Sequence, residues 1–171
     1  ICEYNPFHTG HAYQLDKAVR ATAADGVIAV MSGNFVQRAE PAVADSFLRA
    51  ECALHGGADM VVEMPVATAV AAGRDFARGG VEIVTRLPDV QYLVMGCEDE
   101  EHIATLADIQ SEESAAFRET LKKLLDSGAS YPTAYTAATA TEAEKRGIPR
   151  SMCDEVLKKP NNLLCIEYIK A

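Results

Sequence analysis

Apolar runs and amphipathic stretches alternate along the first half of this chain. Gly26-Val27-Ile28-Ala29-Val30-Met31 is continuously apolar and closes on Ser32-Gly33-Asn34. Such a run suits a parallel strand buried on both faces. Asp59 to Met64, ended by Pro65, and Val90 to Met95, ended by Gly96, repeat the pattern. Ile1-Cys2 reads as the last turn of a strand whose beginning is absent. Between these runs, His11 to Thr22 places Leu15, Ala18, Val19 and Thr22 on one face. Asp45 to His55 offers Phe47, Leu48, Cys52 and Leu54 for burial before the Gly56-Gly57 stop, and Ala69 to Thr85 is rich in alanine and valine. The spacing predicts three helices.

Strands alternating with helices at roughly 30-residue periods indicate βαβ units. The expected fold class is therefore α/β, a Rossmann-like parallel sheet flanked by helices, over residues 1–100. Ligands bind such sheets beyond the strand carboxyl ends. Glu3 to His11, Ser32 to Arg38, Glu63 to Pro65 and Gly96 to Glu98 all fall there. From about Glu101 the pattern becomes helical throughout. Glu112 to Ser127 carries Phe117, Leu121, Leu124 and Leu125 at helical spacing and stops at Gly128. Tyr131 to Gly147, Ser151 to Leu157 and a stretch after Asn162 follow. Residues 101–171 read as a helical extension, expected to continue into a further C-terminal region.

Composition narrows the classes. The 171 residues are 49% hydrophobic, with a mean hydropathy of −0.03. No apolar run approaches the roughly 20 residues that cross a bilayer, so no membrane partner is expected. The five cysteines lack CxxC or metal-ligand spacing. They are expected to be mostly buried free thiols of a reduced cytosol, which implies a cytoplasmic protein and no structural metal site. A net charge of −9 argues against a broad nucleic-acid surface in this segment.

The stretch Glu3-Tyr4-Asn5-Pro6-Phe7-His8-Thr9-Gly10-His11 holds the most specific chemistry. A strand end, a short turn and a helix start form an anion site, since free N–H groups and the helix dipole converge there. Asn5-Pro6 keeps the helix from starting earlier, and Thr9 is the expected N-cap. Gly10 lets a phosphate approach the main chain, while His8 and His11 each offer a ring N–H to its oxygens and can change charge near neutral pH. The plainer reading is a pair of surface histidines at a helix cap.

Other candidates carry paired readings as well. In Ser32-Gly33-Asn34-Phe35-Val36-Gln37-Arg38-Ala39-Glu40-Pro41, Asn34, Gln37 and Arg38 could hold a ribose, a carboxylate or a phosphate, with Ser32 a further candidate contact, against an ordinary Arg38–Glu40 surface pair. Asn161 and Asn162 either start a helix beside solvated Lys158 and Lys159 or read an adenine or ribose edge. Glu63 reads as a strand end more readily than as a magnesium ligand. His55 and His102 read as exposed helix residues, and Glu98 to Glu101 as a solvated helix start.

Five stretches together, EYNPFHTGH, MSGNFVQRAEPA, GADMVVEMP, DFARGG and KPNNLLCIEYIKA, closely resemble the bacterial tRNA(Met) cytidine acetate ligases of the HxGH nucleotidyltransferase-like superfamily. The resemblance spans nearly the whole chain. It implies an enzyme that uses ATP, with magnesium, to convert acetate to acetyl-adenylate. The acetyl group then passes to the wobble cytidine of elongator tRNA(Met). The matching ATP-binding stretch is Ile1, Cys2, Glu3, Tyr4, Asn5, Pro6, Phe7, His8, Thr9, Gly10, His11, Ala12, Tyr13 and Gln14, with His8 and His11 as catalytic phosphate contacts. Gly96 and one asparagine of Asn161 and Asn162 also match ATP-contacting positions. The chain departs from the usual QRGEP and FGSE at Ala39 and at Met95-Gly96-Cys97-Glu98. The basic residues that would bind tRNA are expected outside this acidic segment.

Acetate attack on the α-phosphate requires positioning and stabilisation of phosphoryl charge, with no protein nucleophile. Two other readings stand beside the ligase. One is an HxGH adenylyltransferase acting on a small metabolite; the other is a non-catalytic nucleotide-binding module. Sequence gives no oligomeric state.

Overall fold

The structure is a computed structural model that describes all residues from Ile1 to Ala171. The chain divides into two compact units, Ile1–Met95 with Ala171, and Gly96–Lys170.

The first unit contains α1 (Thr9–Thr22), β1 (Ile28–Ser32), α2 (Ser46–His55), β2 (Met60–Met64), α3 (Val66–Ala69) and α4 (Gly73–Arg86). β1 and β2 pair in parallel, with Ile28 opposite Met60 and Ser32 opposite Met64. Cys2 forms a parallel bridge to Met31 on the other edge of β1. Its N–H donates to Val30 O at 2.8 Å, and Ser32 N–H donates to Cys2 O at 3.1 Å. Ala29 and Met31 of β1 pack with Tyr4, Leu15, Ala53 and Ala58, so α1 and α2 share a core with the sheet. Strand alternation turns Val30 and Ser32 to the opposite face, and both are buried there as well.

The α4 glycines explain the DFARGG stretch. A Cβ at Gly79 would lie 2.3 Å from Thr68 Cγ2, and one at Gly80 would lie 2.8 Å from Ile1 Cδ1. Both contacts are below van der Waals distance, so a larger residue would push α4 away from α3 and from the first extended segment.

Three sequence expectations need correction here. Val90–Met95 is not a strand: its backbone joins no ladder, and Tyr92 and Val94 are exposed. Leu93 and Val94 instead line an apolar groove of about 410 Å³ that Ile1, Ile28 and Val30 also line. Strand propensity forms a strand only where a neighbour accepts its hydrogen bonds. The helix expected over Ala69–Thr85 is two helices, with α3 ending at Ala69 and α4 starting at Gly73. The apolar face expected on α2 is the exposed one. Phe47 is 85% exposed, Leu48, Cys52 and Leu54 are also exposed, and Ser46, Arg49 and Ala53 are buried.

The second unit is helical: α5 (Ile103–Glu112), α6 (Ala115–Asp126), α7 (Tyr131–Lys145), α8 (Arg150–Val156) and α9 (Pro160–Lys170). Ser114 and Ser130 cap α6 and α7 by accepting from Phe117 and Thr133 N–H groups. α7 packs on α5, α6 and α8. Its buried face is mostly alanine, with Ala134, Ala138, Ala140 and Ala143 beside Thr139. No helix is long and apolar enough to cross a membrane.

Candidate active site

The turn between Cys2 and α1 is built by Tyr4, which is buried in a left-handed conformation (φ 46°), and by a cis Asn5–Pro6 bond. The cap of α1 is His8, not the expected Thr9. Gly10 N–H donates to His8 Nδ1 at 3.1 Å, and His8 N–H donates to His11 Nδ1 at 3.3 Å. This is a capping box with two imidazoles in place of the usual hydroxyl and carboxylate. Gly10 has a steric role as well, since a Cβ there would sit 3.0 Å from His8 Cε1. Its amide is engaged by His8 Nδ1.

The box fixes the tautomers. Each Nδ1 accepts a hydrogen bond, so each ring carries its proton on Nε2. The rings stack, with centroids 3.7 Å apart, and Tyr4 and Phe7 pack against His11 with centroids 4.8 and 5.5 Å away. Burial, and then the charge of His8, hold His11 below its ordinary pKa of 6.5. His11 is therefore neutral at pH 7. Its neutral form, with Nε2–H free to donate, is thereby favoured at that pH. His8 is exposed at the helix start, where the dipole favours an anion.

The surrounding loops are tied to this turn by side chains that the sequence reading assigned to ligand. Glu3 Oε1 accepts from Gln37 N–H at 2.8 Å, and Asn5 Oδ1 accepts from Val43 N–H at 2.8 Å. Asn34 Oδ1 accepts from Ser46 N–H at 2.9 Å, which anchors the start of α2 and leaves only the amide nitrogen for other partners. Arg38 and Ala39 both adopt left-handed conformations (φ 67° and 58°). Arg38 is exposed and takes no part in an ion pair with Glu40. Ser32 is fully buried at the carboxyl end of β1, and its hydroxyl has no hydrogen-bond partner.

Arg49, which sequence reasoning missed, organises these strand ends. It is 2% exposed. Its Nε donates to Ala44 O at 3.1 Å, Nη1 to Glu3 O, and Nη2 to Ser32 O at 2.9 Å and to Gly33 O. A buried guanidinium is tolerable because carbonyl dipoles satisfy it. One side chain thereby holds the ends of two neighbouring strands and the loop before α2. The available signal was the i, i+3, i+7 face of Ser46, Arg49 and Ala53, opposite the more hydrophobic one.

In the second unit the structure brings Gly96 together with the paired asparagines. Asn162 is fully buried; its Oδ1 accepts from Glu98 N–H at 2.8 Å and its Nδ2 donates to Val156 O at 3.2 Å. Asn161 is exposed, and its Nδ2 donates to Glu98 Oε1 at 3.1 Å. Cys165 Sγ donates to Gly96 O at 3.3 Å. No three His, Cys, Asp or Glu side chains are grouped to hold a metal ion.

A family model described as HIGH Nucleotidyl Transferase matches residues 1–171. The chain belongs to this nucleotidyl transferase family. Among curated relatives, the tRNA(Met) cytidine acetate ligase of Acetivibrio thermocellus is 41% identical across the whole chain, and that of Halothermothrix orenii is 40% identical. The chain covers 41% and 42% of those two proteins, so it spans about two fifths of their length. Among solved structures, Thermotoga maritima TmcAL bound with alpha-thio ATP superposes with a TM-score of 0.92 at 40% identity, over 99% of this chain and 41% of that one. The nucleotidyl transferase assignment agrees with a histidine pair at the first helix start of a parallel α/β unit. The sequence expectations of fold class and family are thus borne out.

Proposed function

We propose that this chain is the ATP-handling part of a tRNA(Met) cytidine acetate ligase, and that His8 and His11 hold the triphosphate at the α1 N-terminus. The observation that carries this reading is the imidazole capping box, which keeps two Nε2–H donors side by side at the positive end of a helix. N–H donors aimed at phosphoryl oxygens stabilise charge that grows in the transition state. An acetate oxygen attacks the α-phosphorus and pyrophosphate leaves, giving acetyl-adenylate. The exocyclic amine of the wobble cytidine in elongator tRNA(Met) then attacks the acetyl carbon, AMP leaves and the amine loses a proton.

Within this reading, Ile1 to Gln14 form the nucleotide stretch, with Glu3 and Asn5 shaping it through the loops they bind. Ser32 is the strongest candidate for the acetate or phosphate contact, because its buried hydroxyl has no internal partner. Asn34 and Arg38 rank below it, the first because its carbonyl is engaged and the second because it is exposed. Gly96 and Asn161 are the proposed ATP contacts of the second unit; Asn162 uses both ends of its amide internally. Magnesium, where it takes part, would come with ATP, held through the triphosphate oxygens and water.

Mass analysis of elongator tRNA(Met) after incubation with the full-length protein, ATP and acetate tests the reading. A cytidine heavier by one acetyl group is expected. Unmodified cytidine, with ATP turned over on a small metabolite, would favour the adenylyltransferase alternative.

A further inference from the structure

We propose that Cys97 and Cys165 form an oxidant-responsive disulfide that fastens the Gly96–Glu98 segment to α9. Cys165 Sγ donates to the carbonyl of Gly96, the residue before Cys97, at 3.3 Å, and the Cys97 thiol is its neighbour. The backbone that brings them together is fixed independently of the sulfurs. Glu98 N–H donates to Asn162 Oδ1, and Asn161 Nδ2 donates to Glu98 Oε1. Neighbouring thiols on a backbone already held in place can bond without the backbone movement that distant ones would need.

Burial divides the roles. Cys97 is half-buried and within reach of a small oxidant; Cys165 is 2% exposed. Burial pushes the Cys165 thiol up to about 11, with Cys97 adding to the effect, so Cys165 stays protonated at neutral pH. Oxidation therefore starts at Cys97. Hydrogen peroxide transfers one oxygen to that sulfur, giving a sulfenic acid and one water. The Cys165 sulfur then attacks the sulfenic sulfur. An S–S bond forms, the S–O bond breaks, and the hydroxide leaves with the Cys165 thiol proton as a second water. Cys153 is buried on α8, Cys52 is exposed on α2, and the Cys2 thiol donates to Val30 O at 3.6 Å.

The cross-link would lock together the segments that carry Gly96 and Asn161, the proposed ATP contacts of the second unit. That consequence rests on the nucleotide reading, but the disulfide does not. In the test, the protein is exposed to hydrogen peroxide, denatured, alkylated and cut with trypsin. Trypsin leaves Lys159-Pro160 intact, so Cys97 and Cys165 fall on peptides 87–118 and 159–170, each with a single cysteine. A linked pair two hydrogens lighter than its separate peptides is expected. It should be released by dithiothreitol and absent from C97S and C165S. Recovery of both peptides alkylated, or of Cys97 as a sulfinic acid beside an alkylated Cys165, would overturn the proposal. A linked protein that binds ATP as the reduced protein does would count against the nucleotide reading of these residues alone.

Discussion

His8 and His11 cap one another. The His8 amide donates to His11 Nδ1, the Gly10 amide donates to His8 Nδ1, and the two rings stack 3.7 Å apart. The HxGH spacing is therefore a helix-capping geometry first. Its consequence for phosphate follows from the tautomers, because committing Nδ1 to the backbone leaves Nε2–H as the donor on each ring.

Gly10→Ala tests that order of causes. The new Cβ would press on the His8 ring at 3.0 Å and loosen a cap of the kind that contributes about 1 kcal/mol. Calorimetric titration with ATP should show affinity weakened about fivefold, the equivalent of that energy. The circular dichroism spectrum should be nearly unchanged.

The pH dependence follows from His11. Its folded pKa lies below 6.5, so as pH falls through 6.5 the unfolded chain takes up a proton before the folded one does. The stability contributed by the neutral ring is complete above pH 6.5 and is lost as pH drops below it. Thermal midpoints measured from pH 7.5 to 5 should fall more steeply in the wild-type protein than in H11Q.

Much of this was legible in the sequence, and the failures have physical causes. The runs at Gly26–Met31 and Asp59–Met64 read directly as strands because burial on both faces removes any alternation. Val90–Met95 has the same composition but finds no ladder partner, which only three-dimensional neighbours decide. The α2 face was misread because hydrophobicity was equated with burial. Arg49 occupies the inner face and Phe47 the outer one, an inversion the strand-end carbonyls require. At the site, HxGH marked the turn that starts α1, where the cap is His8 and not Thr9, and Glu3, Asn5 and Asn34 each bind a loop amide. Short polar side chains at loops bind backbone as readily as ligand.

Arg49 offers a sharp stability test. Arg49→Met would leave the carbonyls of Glu3, Ser32, Gly33 and Ala44 without their buried donor. Losses of about 3 kcal/mol or more are expected when such a network is broken. Urea denaturation should show a large fall in midpoint. Arg49→Lys should recover only a small part of it, since an ammonium cannot span the fork.

Ala39 makes the opposite prediction. It holds φ at 58°, a conformation that costs an L-residue roughly 1–2 kcal/mol and glycine almost nothing. After allowing for the added freedom of the unfolded chain, Ala39→Gly should stabilise the protein by up to about 1 kcal/mol. A higher thermal midpoint with unchanged ATP affinity would confirm the strain at this turn.

The central claim is that His8 and His11 stabilise the phosphoryl charge during adenylate formation. It is tested most directly by trapping acetyl-adenylate from the full-length protein with ATP and labelled acetate. Wild type should form it, and H8A and H11A should each slow its formation about a hundredfold, as expected for losing one transition-state donor. Unaltered rates in both variants would contradict the account.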